Sequence, residues 1–561
     1  MALRNKEARF NIAPMSGIPR SKFPYSQRKV FTAKMADLIP FFVDCTIMPN
    51  DTFILDLAMV IRLLTPITPT MDDLYVDTYF FFVPYRLIWV HSKEFFGENT
   101  SGAWVQEVEY TKPKLKIDTT GENPTTTKYD IGSVWDYMYG GNPNAIKVSV
   151  DALPVRAYGL VYNEWFRDEN WIAPHSVPTD DTDVYYSKTN PVRGGMPFKI
   201  AKYHDLYTSL LPAPQKGTAV SVPIGTRAPV VGDGKALGLW NGTRYFPMTS
   251  KQSGSVGGTM TALGNQTTTA NAGASIGNNA SLGDGIGIGV SKNATESGLY
   301  ADLTNATAAT INSLREAFAY QRIMEKMARG GTRYTEIVKS FWGVTAADSR
   351  LQRPEYLGGK SLPLSMLQVP QTSSTDNTSP QGNVAAFSHT ADSSRAFSKS
   401  FTEHGIILGL MAIRQKHSYQ QGIEKQFKQF RRYDNFFPQL NYLGEQAVKT
   451  YELYNYDDST SDDVVLGFNE AWYQYRYRQD SVAGYMRSGI TGSLDIWHYA
   501  DNYDNAPTIS QDFIEETDTY LRRTLAVTDN ETHQFYVATM IKGTATRALA
   551  LFSIPGLIDH M

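Results

Sequence analysis

Short segments rich in aromatic and β-branched residues recur along the chain and predict strands. The clearest of them, each too short for a typical amphipathic helix, are residues 75–83, 405–413 and 535–541. Lys542 and Gly543 follow the last segment and predict a turn into a paired strand over residues 547–551. Because the strands do not alternate regularly with helices, the pattern favours an all-β-dominated, elaborated antiparallel domain over a doubly wound sheet.

One segment has the periodicity of an amphipathic helix. Its apolar positions approximate a single stripe, formed by Ile311, Leu314, Phe318, Ile323 and Met327. Thr310 or Asn312 is placed to cap the N-terminus of this helix. Gly330 and Gly331 are expected to end it.

The segment 250–300 differs in composition from the rest of the chain. No aromatic residue occurs between Phe246 and Tyr300, and Gly, Ser, Thr, Asn and Ala dominate. Such a sequence does not form a conventional core by itself. A flexible linker and a long surface excursion both fit, and the excursion is favoured because apolar sequence resumes immediately on both sides.

Overall composition points to a protein that buries much of its surface. Aromatic residues make up 12% of the 561 residues and charged residues only 19%, with a net charge of -3. Large rigid side chains with little charge suit burial in a core or against neighbouring copies. The single cysteine, Cys45, excludes an intramolecular disulfide framework and indicates a reducing compartment. No apolar stretch approaches the roughly 20 residues needed to cross a bilayer, so membrane insertion is not expected.

Positive charge is concentrated in residues 1–34, where Glu7 is the only acidic residue and the local net charge is +7. Pro14, Pro19 and Pro24 disfavour helices and central strands, so this segment is predicted to be an extended basic arm. The candidate DNA-binding residues of the arm are Arg4, Lys6, Arg9, Arg20, Lys22, Arg28, Lys29 and Lys34. A solvated arm, or one that embraces a neighbouring subunit without touching nucleic acid, fits the sequence equally well.

A second basic set is the other candidate for DNA binding. It consists of Lys425, Lys428, Arg431 and Arg432. Phosphate contacts of this kind predict sequence-independent, salt-sensitive binding. The equal alternative is that these residues form the polar face of a helix.

No constellation of residues in the sequence demands catalysis, a metal or a cofactor. The nine histidines never form a His-Glu-x-x-His motif or another close ligand pair. Gly359, Lys360 and Ser361 resemble the end of a phosphate-binding loop, but Pro354 occupies the position of its first required glycine. We therefore expect no enzyme, and we assign no catalytic residue, no metal ligand and no cofactor from the sequence.

Several long blocks of sequence resemble the major capsid protein of the Microviridae, the small icosahedral single-stranded DNA phages, and specifically of their gokushovirus-like branch. The blocks occur in family order and cover essentially the whole chain outside residues 250–300. They are MDDLYVDTYFFFVPYRL at 71–87, VRAY at 155–158, YNEWFRD at 162–168, ARGGTRYTE at 328–336, LQRPEYLGG at 351–359 and PGLIDH at 555–560. The sequence departs from the family pattern at Cys45, where an acidic residue is usual, and at Asn50, where glycine is usual; these changes affect expectations of local loop geometry only.

This resemblance implies a single eight-stranded antiparallel jelly roll with long inserted loops and a few helices, spanning residues 35–561 after the arm of residues 1–34. It implies self-assembly of sixty copies into an icosahedral T=1 shell around a circular single-stranded DNA genome. A small basic internal protein and a pilot protein are the further partners that it implies. The shell would assemble in the cytoplasm of the bacterial host and form the capsid of the virion.

The resemblance also suggests a role for the segment 250–300. In this branch a large insertion is thought to build protrusions at the threefold axes and to meet a receptor on the host cell. Ile286, Ile288 and Val290 are the candidate contacts between three copies. The alternative to a capsid protein is a stand-alone β-rich attachment or carbohydrate-binding module, which should remain a small oligomer instead of forming large closed particles. A hydrolase is a more distant alternative, because no nucleophile or acid/base pair is apparent.

Overall fold

The computed structural model describes most of the chain. The described residues are 20–99, 109–118, 128–144, 147–218, 220, 311–373, 380–382, 384–456, 459–527 and 533–552, with five three-residue strands between 230 and 301. The chain divides into two compact units. One unit comprises Met1–Lys216 with Glu325–Met561, and the other comprises Gly217–Met324.

Eight strands of the first unit form its two largest sheets. In chain order they are β1 (Ser21–Ala33), β2 (Ile39–Ile47), β3 (Thr52–Leu63), β4 (Leu74–Pro84), β5 (Glu355–Pro363), β6 (Thr390–Ser400), β7 (Gly405–Gln415) and β8 (Phe535–Arg547). One sheet has the strand order β1-β8-β3-β6, and the other has the order β5-β4-β7-β2. All pairs within these two sheets are antiparallel. The prediction of a fold dominated by antiparallel strands is therefore confirmed.

All three predicted strands are confirmed as β4, β7 and β8, but the predicted turn at Lys542 and Gly543 is wrong. β8 continues through both residues to Arg547 and stays paired with β1 and β3. A Cβ atom at Gly543 would lie 1.9 Å from the carbonyl oxygen of Ile54. Gly543 therefore allows two strands to approach closely, and it does not reverse the chain.

The main core lies between the inner faces of the two sheets. β3 alternates strictly, so that Phe53, Leu55, Leu57, Met59 and Ile61 are buried in this core while the intervening residues face outward. The opposite face of the β5-β4-β7-β2 sheet is buried too, against a second cluster that includes the helix Leu153–Val161. β7 is consequently apolar along nearly its whole length, as expected for a strand covered on both faces.

Helices and short strands occupy the long connections. The helices are Tyr85–Ile88, Ser92–Phe95, Val134–Met138, Leu153–Val161, the π-helical turn Tyr162–Phe166, Ile311–Gly330, Tyr334–Trp342, Thr450–Leu453, Ser459–Asp462, Gln511–Ile514 and Thr519–Arg522. The short strands of the first unit are Lys114–Asp118, Lys147–Asp151, Val184–Tyr185, Met366–Pro370, Val384–Ser388, Glu445–Lys449 and Val465–Glu470. In the second unit, Val230–Gly232 pairs with Leu299–Ala301, and Gly238–Trp240 lies between Tyr245–Pro247 and Gly287–Gly289.

The predicted amphipathic helix is confirmed as Ile311–Gly330. It ends at the predicted glycine pair, and Gly331 has a left-handed φ of +89°. Asn312 lies inside the helix and is not its cap, whereas Thr310 lies outside the described residues. The apolar stripe is only partly covered, since Phe318 remains 60% exposed.

Candidate nucleic-acid interface

The outward face of the β1-β8-β3-β6 sheet is open and carries a series of basic side chains. Strand register places its residues in rows that cross all four strands. Three of these rows are Lys22, Thr546, Thr52 and Ser400; Ser26, Lys542, Asp56 and Arg395; and Arg28, Met540, Ala58 and Ser393. Arg62 lies on the same face, further along β3. Most of the remaining side chains on this face are short.

The described part of the predicted arm belongs to this sheet. Ser21–Ala33 forms the edge strand β1, where Pro24 is tolerated because an edge strand leaves one row of backbone groups unpaired. Lys22 and Arg28 are exposed on the open face. Arg20 is exposed just before the strand and donates a 2.6 Å hydrogen bond to Oγ1 of Thr52. Arg4, Lys6 and Arg9 lie outside the described residues.

Two other lysines of the arm point away from the open face. The Lys29 ammonium group donates to the carbonyl oxygen of Tyr137, and burial lowers the pKa of Lys29 to about 8. Lys34 follows β1 and forms a 3.6 Å ion pair with Asp518. Both ammonium groups therefore bind to other residues of the same chain and do not contribute to the charge of the open face.

The second basic set lies in two short 3₁₀ turns, Lys425–Lys428 and Arg432–Asp434, and not along one helix. The Lys425 ammonium group is 4.6 Å from the centre of the Tyr473 ring, and burial lowers its pKa. Lys428 pairs with Asp462 at 3.1 Å. Arg431 and Arg432 are exposed. Lys425 and Lys428 thus contact other side chains of the chain, whereas Arg431 and Arg432 remain accessible to a partner.

The surface around these arginines is strongly aromatic. We call it the aromatic surface; its exposed members are Phe427, Phe430, Tyr433, Phe436, Tyr442 and Leu443. Phe430 is 84% exposed and Tyr442 is 92% exposed. Exposed apolar groups at this density are typical of a surface that another molecule covers.

Sequence reasoning missed three basic residues of the open face: Arg62, Arg395 and Lys542. They lie on three different strands and come together only through strand pairing. Arg395 forms an ion pair with Asp56, with 2.8 Å between Nε and Oδ1. In the sequence each is a single charge in a polar or apolar stretch, so no local signal could identify the group.

The candidate threefold contacts fall mostly beyond the described part of the chain. Ile286, Val290 and most of the segment 250–300 lie outside the described residues. Ile288 is the central residue of the short strand Gly287–Gly289, opposite Leu239. The role of these three residues as protrusion contacts stays a prediction.

A buried ionic cluster around His417 in the first unit resembles a catalytic arrangement, but its histidine is excluded from solvent and, within the described part of the chain, is paired only with acidic and amide groups. His417 Nδ1 is 2.7 Å from Asp501 and its Nε2 is 3.1 Å from Glu516. Lys202 lies 3.3 Å from Asp501, and Tyr503 donates a 2.6 Å hydrogen bond to the same carboxylate. The His417 side chain is only about 1% exposed, and the groups that bond to its ring are carboxylates and Gln415. Among the described residues, no serine, threonine or cysteine nucleophile is therefore paired with this imidazole. Burial alone would lower the pKa of His417, but the two carboxylates outweigh that effect and raise it to about 9.

Comparison with known proteins identifies the family. Residues 12–557 match the family described as Capsid protein (F protein). The chain is 38% identical to the capsid protein VP1 of Bdellovibrio phage phiMH2K over 94% of this chain and 93% of that protein. The chain belongs to the phage capsid protein (F protein) family. It is also similar to the VP1 capsid proteins of Spiroplasma virus 4, with 37% identity, and of Chlamydia phage 1, with 34% identity, each over 98% of this chain and 97% of the relative.

Membership of the capsid protein family confirms the resemblance predicted from the sequence blocks. The chain is a structural protein of a virion and not an enzyme. A search of the described part of this capsid protein finds no helix long and apolar enough to span a membrane. Within the same residues, no group of three or more His, Cys, Asp or Glu side chains is arranged so that it could hold a metal ion.

Proposed function

We propose that this chain is the major capsid protein of a small phage, and that sixty copies assemble into an icosahedral T=1 shell around a circular single-stranded DNA genome. The observation that carries the proposal is the similarity to three phage capsid proteins along nearly their whole length. The low charge content and the exposed aromatic surface also support it, because a shell subunit must bury surface against several neighbours.

We further propose that the two large sheets form a single eight-stranded jelly roll. The strand order supports this: successive strands from β1 to β4 alternate between the two sheets, as do β5 to β8, and only the connection from β4 to β5 stays within one sheet. Two facing antiparallel sheets of four strands with such crossings are the arrangement of a jelly roll. On this proposal residues 35–561 form the capsid domain, and residues 1–34 supply the basic arm together with the first strand.

The segment 250–300 is proposed to be a surface insertion that forms protrusions at the threefold axes and contributes to host attachment. The absence of aromatic residues from 247 to 299 and the place of the segment in a separate compact unit, Gly217–Met324, support an excursion from the sheets. Ile286, Ile288 and Val290 are the proposed contacts between copies. A small basic internal protein, a pilot protein and a receptor on the host cell are the other proposed partners, with assembly in the host cytoplasm.

Expression of the full chain alone in bacteria tests the assembly proposal. Size-exclusion chromatography and electron microscopy are expected to reveal uniform closed particles a few hundred ångströms across, and image reconstruction should give icosahedral symmetry with sixty subunits. If only small oligomers form, co-expression with the internal and pilot proteins should restore particles. Small oligomers under both conditions would contradict the proposal and favour a stand-alone attachment module.

A further inference from the structure

We propose that the open face of the β1-β8-β3-β6 sheet lines the inside of the shell and binds the phosphates of the enclosed single-stranded DNA. This inference rests on the proposed function, because it assigns one surface of the subunit to the genome. It adds Arg62, Arg395 and Lys542 to the two arm residues that share the face, Lys22 and Arg28.

The charge of the open face supports this assignment. Five basic side chains project from it, and Asp56 is the only acidic side chain that its outward positions supply. Asp56 pairs with Arg395. The other four basic residues form no ion pair with any residue in the part of the chain that the structure describes. None of these four charges is therefore neutralised by a close ion pair among the described residues, although Lys542 lies opposite Asp56 in the sheet and the chain as a whole has a net charge of -3.

The shape of the face suits an extended, flexible polyanion. A shallow groove lies beside Arg28 and is lined by Ala58, Val60, Ala391, Ser393, Ala538 and Met540, of which only Met540 has a long side chain. Adjacent strands lie about 4.8 Å apart and alternate residues of one strand about 7 Å apart. Lys542 therefore stands roughly 8 Å from Arg28 and roughly 10 Å from Arg395, whereas Arg28 and Arg395 lie on opposite edges of the sheet, roughly 16 Å apart. Lys542 and each arginine are thus close enough for successive phosphates of one strand to meet different cations.

The same features disfavour a second protein as the occupant. The centre of a protein–protein interface is depleted of charge and enriched in aromatic residues. The open face carries five basic residues and Asp56, and Tyr536 is its one exposed aromatic side chain among the described residues, beside the exposed aliphatic residues Val30, Ile54 and Val60. The aromatic surface elsewhere on the subunit has the composition expected for contact between copies.

A salt titration of DNA binding tests the charge argument. The triple variant Arg62→Gln, Arg395→Gln, Lys542→Gln is compared with the wild-type full chain, using fluorescence anisotropy of a labelled oligothymidylate. For single-stranded DNA, each lost phosphate contact changes the slope of log K against log salt concentration by about 0.7. The triple variant is expected to have a slope shallower by about 2, and an unchanged slope would overturn the proposal.

A matched control separates a local effect from a change in overall charge. Lys93, Lys339 and Arg350 are exposed on other elements, so Lys93→Gln, Lys339→Gln, Arg350→Gln removes the same charge away from the sheet. This control is expected to keep the wild-type slope, and a loss equal to that of the triple variant would overturn the proposal. Failure of the wild-type chain to bind oligothymidylate would also overturn the proposal, whereas failure to form particles both alone and with the internal and pilot proteins would instead contradict the proposed function.

Accessibility in assembled particles tests the orientation of the face without altering its charge. Ser393→Cys places a thiol on the open face, on the edge strand β6 and in the row of Arg28, and the wild-type chain gives the background from Cys45. A maleimide too bulky to enter the shell is expected to label the variant in dissociated subunits and to leave it unlabelled in intact particles. Equal labelling of intact particles would place the face outside and overturn the proposal. A subunit–subunit contact would also protect the thiol, but it would leave the salt slope of the triple variant unchanged.

Discussion

His417 lies in a buried ionic cluster, between Asp501 and Glu516 and near Lys202. With two carboxylates against one ammonium group, a protonated imidazole balances the cluster. Replacing His417 with Ala would leave both carboxylates buried without that partner, which typically costs about 3–5 kcal/mol. The stability of the folded subunit therefore depends on the positive charge of this one side chain.

The same side chain predicts how stability changes with pH. The pKa of His417 is raised to about 9 in the folded chain, whereas an unfolded histidine has a pKa of about 6.5. Its stabilising contribution is fully present below about pH 6.5 and is lost as the pH rises through about 9. Thermal unfolding of wild type should show this decline between pH 6.5 and 9.5, and His417→Ala should have a lower melting temperature and a flatter profile. The control His204→Ala changes an exposed ring and should keep the wild-type profile.

Asn50 accounts for one departure from the family pattern. It has a left-handed φ of +73° in the turn between β2 and β3, where glycine would be free of strain. Asparagine tolerates this conformation better than other residues with a side chain. The turn is also held by Asp51, whose carboxylate accepts a 3.1 Å hydrogen bond from the Met48 amide. Replacing the usual glycine with asparagine therefore preserves the turn.

At the scale of elements, the contact between β8 and β3 depends on Gly543. Gly543→Ala would place a Cβ atom 1.9 Å from the Ile54 carbonyl oxygen and force the two strands apart. Overpacking of this kind typically costs about 1–3 kcal/mol, so lower thermal stability and a lower yield of soluble chain are expected. Thr544→Ala removes a neighbouring outward side chain and should have a much smaller effect. Equal stability of the two variants would contradict the close-approach argument.

The pairing of β1 with β8 defines where the basic arm can be cut. Deletion of residues 1–19 removes Arg4, Lys6 and Arg9 but leaves β1 intact, so particles are expected to form and to lose DNA at a lower salt concentration. Deletion of residues 1–34 also removes β1 and exposes the edge of β8, which predicts aggregation. Particle yield and nuclease-protected DNA measure both outcomes. Normal genome retention after the shorter deletion would exclude these three residues as DNA contacts.

At the scale of the whole molecule, sequence reasoning succeeds where the signal is local. The helix Ile311–Gly330 follows from its periodicity and its glycine pair, and β4, β7 and β8 follow from their aromatic and branched residues. The open basic face depends on pairing between positions as distant as Asp56 and Lys542, which are 486 residues apart (542 − 56). The register between such distant strands cannot be predicted from the composition of the chain or from the spacing of its residues. Gly543 is misread for the same reason, because the atom that requires a glycine belongs to another strand.

Removal of residues 251–299 separates assembly from attachment. Because these residues supply no strand to either large sheet, the shortened chain is expected to form particles if the segment is the proposed insertion. Adsorption of these particles to host cells is expected to fall sharply, as measured by the fraction of particles that sediment with the cells. A chain that folds but no longer assembles would instead make the segment a contact within the shell.

The position of β8 between β1 and β3 has a consequence for protein synthesis. At roughly 5–20 residues per second, a ribosome needs about 30–110 s to reach residue 540, and until then the sheet has a gap. A chain released early lacks the strand that joins β1 to the rest of the sheet, and it exposes two unpaired edges. Such a fragment has an incomplete subunit surface, so we expect it to be more susceptible to proteolysis and less able to assemble than the full chain.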